Sequence, residues 1–264
     1  MAPDAAQAHS RRWLSTQRVD AWWLQPVALW ATLVAFVIYA TWRVFENGHF
    51  YADNGAYHYV SPLGSPDLTG IFPASWKAAV PLLAYPAILI LPIPAGFRFT
   101  CYWFRRSYYR AFVARPAACA VEATKGVRYK GERGLMAVNN LHRFFLYLAI
   151  AKMLFDAWHV VTAVATPHGL YLGLGVLILL IDIVLLGAYV LGCHALRHLV
   201  GGRLDCFSCD ALTMRQHGFW KAVTVLNRKH GFWAMASLFW IALTDLYIRH
   251  LSQTGLTHVL GVPA

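Results

Sequence analysis

The stretch Leu170–His198 reads LYLGLGVLILLIDIVLLGAYVLGCHALRH, and before Arg197 its only charged residue is Asp182. About 20 apolar residues cross the ~30 Å hydrocarbon layer of a bilayer. This run is long enough to cross with tilt or to project beyond the membrane. Four other runs have similar character, at 22–44, 76–94, 140–164 and 219–251. The expected fold is therefore an all-α membrane protein, a bundle of five transmembrane helices in a single membrane domain. The second run carries Pro81, Pro86, Pro92 and Pro94, which predict kinks.

Composition agrees. Of 264 residues 58% are hydrophobic and 13% charged, against about 25% charged in a soluble domain. The net charge of +11 does not indicate nucleic acid, because the basic residues gather at span ends and no nucleic-acid-binding signature is present. The first twenty residues are polar and basic, which predicts no cleavable leader.

Nineteen of the 23 basic residues fall in three segments, namely the N-terminus, 98–143 and 197–229. Positive charge is retained on the cytoplasmic side. The expected topology in the plasma membrane therefore has the N-terminus inside and the C-terminus outside. The segment 95–139 is expected to be a cytoplasmic docking loop. Its Phe97-Arg98-Phe99, Tyr102–Arg106 and Tyr108-Tyr109-Arg110 runs interleave aromatics with arginine. That pattern suits an interfacial helix in contact with lipid headgroups, or a platform for a partner protein.

The expected metal-binding loop is 199–218. His194 and His198 stand four apart on one helix face, Gly201-Gly202 turns the chain, and Cys206-x-x-Cys209 follows. Two cysteines and two histidines suit either a structural zinc ion or a Rieske-type [2Fe–2S] centre. Candidate ligands are Cys206, Cys209, His198, Cys193, His194 and His230. Cys101 and Cys119 stand alone and read as buried apolar residues. Haem b is the competing cofactor. Runs one and two hold no histidine, so two haems are not expected, and one haem would need His142 or His159 with a partner.

Lys152, Asp156 and Asp182 fall near mid-membrane. Lys152 has either acid as a partner, and Asp245 and Arg249 form another i, i+4 pair. Such charges are expensive in lipid and mark either structural pairs or a proton route. No matching broken-helix halves point to a transporter. A non-enzymatic protein with a zinc clamp is the alternative reading.

FRFTCYWFRRSYYRAF at 97–112, RPAACAVE at 115–122, NNLHRFFLYLA at 139–149, GCHALRHLVGG at 192–202, DCFSC at 205–209 and LTDLYIR at 243–249 carry a resemblance. Together they resemble the membrane anchor subunit of actinobacterial-type succinate dehydrogenase (succinate:quinone oxidoreductase). The resemblance implies docking of a flavoprotein subunit and an iron–sulfur subunit, with succinate oxidised in the flavoprotein. It also implies electron transfer to a quinone, menaquinone by that likeness, and room for a small accessory membrane subunit. The expected quinone-binding residues are Trp22, Gln25, His142 and Arg143. An aromatic ring packs on the quinone, and a cationic donor stabilises its oxygen as charge develops.

Overall fold

The computed structural model describes residues 20–53, 55, 57–105, 134–166 and 169–255. Most of the expected docking loop, and with it the RPAACAVE stretch and Cys119, lies outside the described residues.

Among the described residues four helices are long and apolar enough to cross a membrane, namely Leu24–Glu46, Ala137–Val164, Leu174–Leu191 and His230–Thr254. We label Leu24–Glu46 α1. The expected second span is instead a chain of short helices: α2 (Ala74–Ala79), a 3-10 turn at Pro81–Ala84, α3 (Pro86–Ile90) and α4 (Pro92–Thr100). Pro81, Pro86 and Pro92 each open a new segment. A proline has no N–H to give the preceding turn, and its ring clashes with the carbonyl four residues back. Kinks were expected, and the proline density produces complete breaks.

A 3-10 turn at Gly134–Leu141 leads into α5 (His142–Val164), and α6 (Leu174–Leu191) returns across the bundle. The expected fourth run does not continue to His198. It stops at Gly192, Cys193 adopts extended backbone, and α7 (His194–Gly201) starts in a new direction. Gly192 has no room for a side chain, because a Cβ there would lie 2.5 Å from the Ala188 carbonyl. The expected fifth run divides in the same way. Its first part belongs to α8 (Ala211–Asn227), which Asp210 and Thr213 cap reciprocally. The spanning helix α9 begins at His230 and runs to Thr254.

Helix α6 sits centrally, packed on α5 and α9. Helix α1 lies at the edge, with Val37, Ile38 and Phe45 pointing outward. Two small antiparallel hairpins close one end of the bundle: β1 (Tyr51–Asp53) with β2 (His58–Val60), and β3 (Ala165–Thr166) with β4 (Gly169–Leu170). Tyr57, Tyr59 and Tyr171 pack there against Val160, Val176 and Ile248.

The α1 edge is held by charge. Arg43 and Asp245 are both fully buried, with Arg43 Nε 2.6 Å from Asp245 Oδ2 and Nη2 3.2 Å from Oδ1. The hydroxyls of Tyr39 and Ser61 also donate to Asp245. Arg249 reaches Glu46 at 2.6 Å rather than Asp245, so the expected i, i+4 pair is replaced by two pairs bridging α1 and α9. Tertiary partners satisfy these charges better than the neighbouring turn does.

Candidate functional site

Among the described residues, the six candidates from which four ligands were expected do not meet at one point. Cys206 and Cys209 are joined by a disulfide in the segment between α7 and α8. His194 and His198 share a helix face as expected, but that face is exposed. Only Cys193 and His230 turn inward, because the two helix breaks redirect the chain. Among the described residues, no three His, Cys, Asp or Glu side chains close on one point as a single-ion site requires.

A different set meets at the bundle end opposite the hairpins. Cys101 follows the last turn of α4, His142 opens α5, Cys193 lies in the α6–α7 break, and His230 opens α9. Cys193 Sγ is 3.0 Å from His142 Nε2, and Cys101 Sγ is 3.5 Å from His230 Nε2. Cys101, His142 and Cys193 are at most 4% exposed. The result is two sulfur–imidazole pairs side by side rather than one closed ring of ligands. Burial pushes the Cys193 thiol up to about 12, and the nearby Cys101 sulfur pushes it in the same direction. Such a thiol stays protonated unless a positive centre takes the proton's place.

Aromatic rings wall the site. Phe97 stacks on His142 with centroids 4.7 Å apart, Tyr189 stacks on His230 at 5.0 Å, and Phe97 meets Tyr189 edge-on at 5.2 Å. The hydrogen-bond network fixes the His142 tautomer. Thr100 Oγ1 gives its proton to the Gly96 carbonyl at 2.7 Å, so at 2.9 Å it accepts from His142 Nδ1. The lone pair is then on Nε2, facing Cys193. The break that presents Cys193 is fixed from two sides. Its sulfur accepts from the Ala195 N–H at 3.4 Å, and Asn227 Nδ2 donates to the Gly192 carbonyl at 2.8 Å.

Beside this site lies a cavity of about 630 Å³, walled by apolar side chains of α1, α4 and α9 together with Phe104 and Leu186. Arg98 and Lys152 bring positive charge to it. Arg98 is 7% exposed and is held by the Ala234 carbonyl at 2.7 Å and Ser237 Oγ at 2.9 Å, over the Tyr189 ring at 4.6 Å. Of the expected quinone residues, His142 belongs to the sulfur–imidazole site. Trp22 and Arg143 are half-buried, Gln25 is exposed, and none of these three lines the cavity.

Lys152 is buried and pairs with Asp156 at 2.6 Å, not with Asp182. His159 lies on α5 about 25 Å from His142 at the helical rise, so the two do not serve one haem together.

Sequence reasoning missed Cys101, which read as a lone cysteine, and gave His142 another role. Both lie within resembling stretches, FRFTC and NNLH, but no local spacing connects them.

A helical bundle with a buried sulfur–imidazole site beside an apolar, cation-bearing cavity is the architecture of a multi-pass membrane subunit. The chain belongs to the actinobacterial succinate dehydrogenase subunit SdhC family, whose model matches residues 24–254. It is thus a membrane subunit of the succinate dehydrogenase complex. Its fold is similar to a chain of the Mycobacterium smegmatis Sdh1 complex in the apo form, with TM-score 0.81 and 32% identity over 96% of each chain. No curated protein matches.

Proposed function

We propose that this subunit passes electrons to a quinone through a Rieske-type [2Fe–2S] centre held by Cys101, His142, Cys193 and His230, and that the quinone occupies the adjoining cavity. The observation that carries this reading is the meeting of two thiols and two imidazoles, from four separate elements, in one buried site. As part of its complex the subunit works beside a flavoprotein, an iron–sulfur subunit, quinone and membrane lipids.

The donor set fits the group. Cysteine and histidine in equal number are the Rieske ligands, and His142 Nε2 is available because Nδ1–H is bound to Thr100. When bound, such a centre takes up and releases one electron at a potential well above that of an all-cysteine cluster. The aromatic wall keeps water from it. In such a centre Cys101 and Cys193 would hold one iron, and His142 and His230 the other.

At the cavity, Arg98 and Lys152 are positive donors for the quinone oxygens. Arg98 spends two of its five N–H donors on Ala234 and Ser237, which fix its plane without neutralising it. Such a donor stabilises oxygen as charge develops on reduction. The basic segment 197–229 flanks the same end, which supports a cytoplasmic location for the sulfur–imidazole site and an outside C-terminus. Extraction of the lipid quinone identifies it, menaquinone being the one implied by resemblance.

The test uses the intact complex. Reduction should give an EPR signal of mixed histidine/cysteine ligation. Cys101→Ser, Cys193→Ser and His142→Ala should abolish that signal and quinone reduction, and leave succinate oxidation by a soluble dye. Loss of the signal in Cys206→Ser and Cys209→Ser, with survival in the other variants, would return the site to the loop.

A further inference from the structure

The quinone reaction needs protons as well as electrons. Quinone, two electrons and two protons give quinol, and the electrons come from succinate through the partner subunits. Aromatic rings wall the sulfur–imidazole site, where the electrons pass. The intramembrane charges lie elsewhere, and their arrangement is specific.

Lys152 borders the large cavity, and Asp156, its 2.6 Å partner, borders a second, much smaller one of about 10 Å³. That volume is about what one water needs. Asp182 and His159 line the small cavity too, together with Val60 and Pro62 beside the outer hairpin. The Lys152–Asp156 pair therefore stands between the two cavities, beside Pro62, which lines both.

Two carboxylate oxygens are unsatisfied. Asp182 is 3% exposed and Asp156 7% exposed, and among the described residues the Oδ1 of each has no hydrogen-bond partner. A purely structural ion pair would use these atoms, since orphaned buried oxygens cost stability. A water between them would satisfy both.

We propose that His159, Asp182, Asp156 and Lys152 form a proton route that supplies the quinone from the hairpin side of the membrane. This rests on the reading that the quinone occupies the large cavity. Protons enter from water at the hairpin end through His159 and pass by way of the small cavity to the carboxylates. Lys152 donates an Nζ proton to the reduced quinone oxygen and regains one from Asp156. Two such cycles make one quinol, with no other reactant needed.

The experiment uses the whole complex in sealed vesicles with a pH dye trapped inside. Molecules that face outward with their succinate side are selected by adding succinate externally. Quinone reduction by the unaltered complex should make the vesicle interior alkaline. Asp182→Asn and Lys152→Met should slow quinone reduction by a factor of about 10² and abolish the internal pH change, because relayed acid–base steps contribute on that scale. Dye-coupled succinate oxidation should be unchanged in both, which also reports assembly.

Asp182→Glu separates the route from packing. Glutamate keeps a proton-carrying group but overfills the site, whereas asparagine matches the shape and cannot carry the proton. A route predicts that Glu retains activity and Asn loses it; a structural role predicts the reverse. Quinone reduction by Asp182→Asn within twofold of the unaltered complex, or no internal pH change in the unaltered complex, would overturn the route. Absence of quinone reduction in the unaltered complex would instead overturn the quinone reading beneath it.

Discussion

The Asn227 side-chain amide donates to the Gly192 carbonyl at 2.8 Å, so the interruption after α6 is tied to the interruption before α9. Gly192 precedes Cys193, and Asn227 stands three residues before His230. One hydrogen bond thus fixes the spacing between a thiol and an imidazole that lie far apart in sequence. Asn227→Ala should leave the half-buried carbonyl short of its partner and destabilise the fold by about 1–3 kcal/mol. The sharper outcome is a fall in iron bound per assembled complex, read by metal analysis. Full iron content in a stable variant would show that the breaks hold without this tie.

Thr100 orients His142 without being a ligand. Thr100→Val removes the acceptor for Nδ1–H and keeps the shape. Loss of such an outer partner typically costs 10–100-fold in metal affinity. The expected readout is a shifted EPR line and faster loss of iron to a chelator; an unchanged spectrum would remove Thr100 from the site.

Arg43 and Asp245 are both 0% exposed and join α1 to α9. Removing one partner of a buried pair leaves an uncompensated charge and costs about 3–5 kcal/mol. Arg43→Met and Asp245→Asn alone should each lower the thermal midpoint of the complex sharply. The double variant should lose less than the sum, because neither orphaned charge remains.

Arg98 lines the cavity proposed for the quinone. Arg98→Lys keeps the charge but loses the planar fork that Ala234 and Ser237 hold. Quinone KM should rise or kcat fall by about tenfold, the effect of losing one charged hydrogen bond, with dye-coupled succinate oxidation unaltered. Unchanged steady-state constants would place the quinone elsewhere.

The β1–β2 hairpin should be acid-sensitive. The Gly55 N–H at 2.9 Å, and then His58 at 3.0 Å, hold the Asp53 carboxyl below its usual range. A depressed carboxylate contributes stability above its unfolded value, near 4, and loses it as pH falls through the folded value. Amide exchange in the hairpin should therefore quicken only below about pH 4. Asp53→Asn should remove that pH dependence. The effect is local, since the carboxylate is mostly exposed.

The membrane class was readable from residue order alone, because lipid demands long apolar runs and makes charge within them costly. The family was readable from short aromatic, basic and cysteine-bearing stretches. The presence of a cysteine–histidine site near α7 was half legible, since Cys193 and His230 were among the candidates. Local spacing favoured Cys206-x-x-Cys209, whereas Cys101 and His142 carry no local signature. Spacing reports only what one turn or loop brings together. The sulfur–imidazole quartet, the two cavities and the choice of Asp156 over Asp182 by Lys152 depend on helices meeting side by side. That meeting is set by where prolines and Gly192 break the helices and by which buried charges find partners across them, and only the packed bundle determines it.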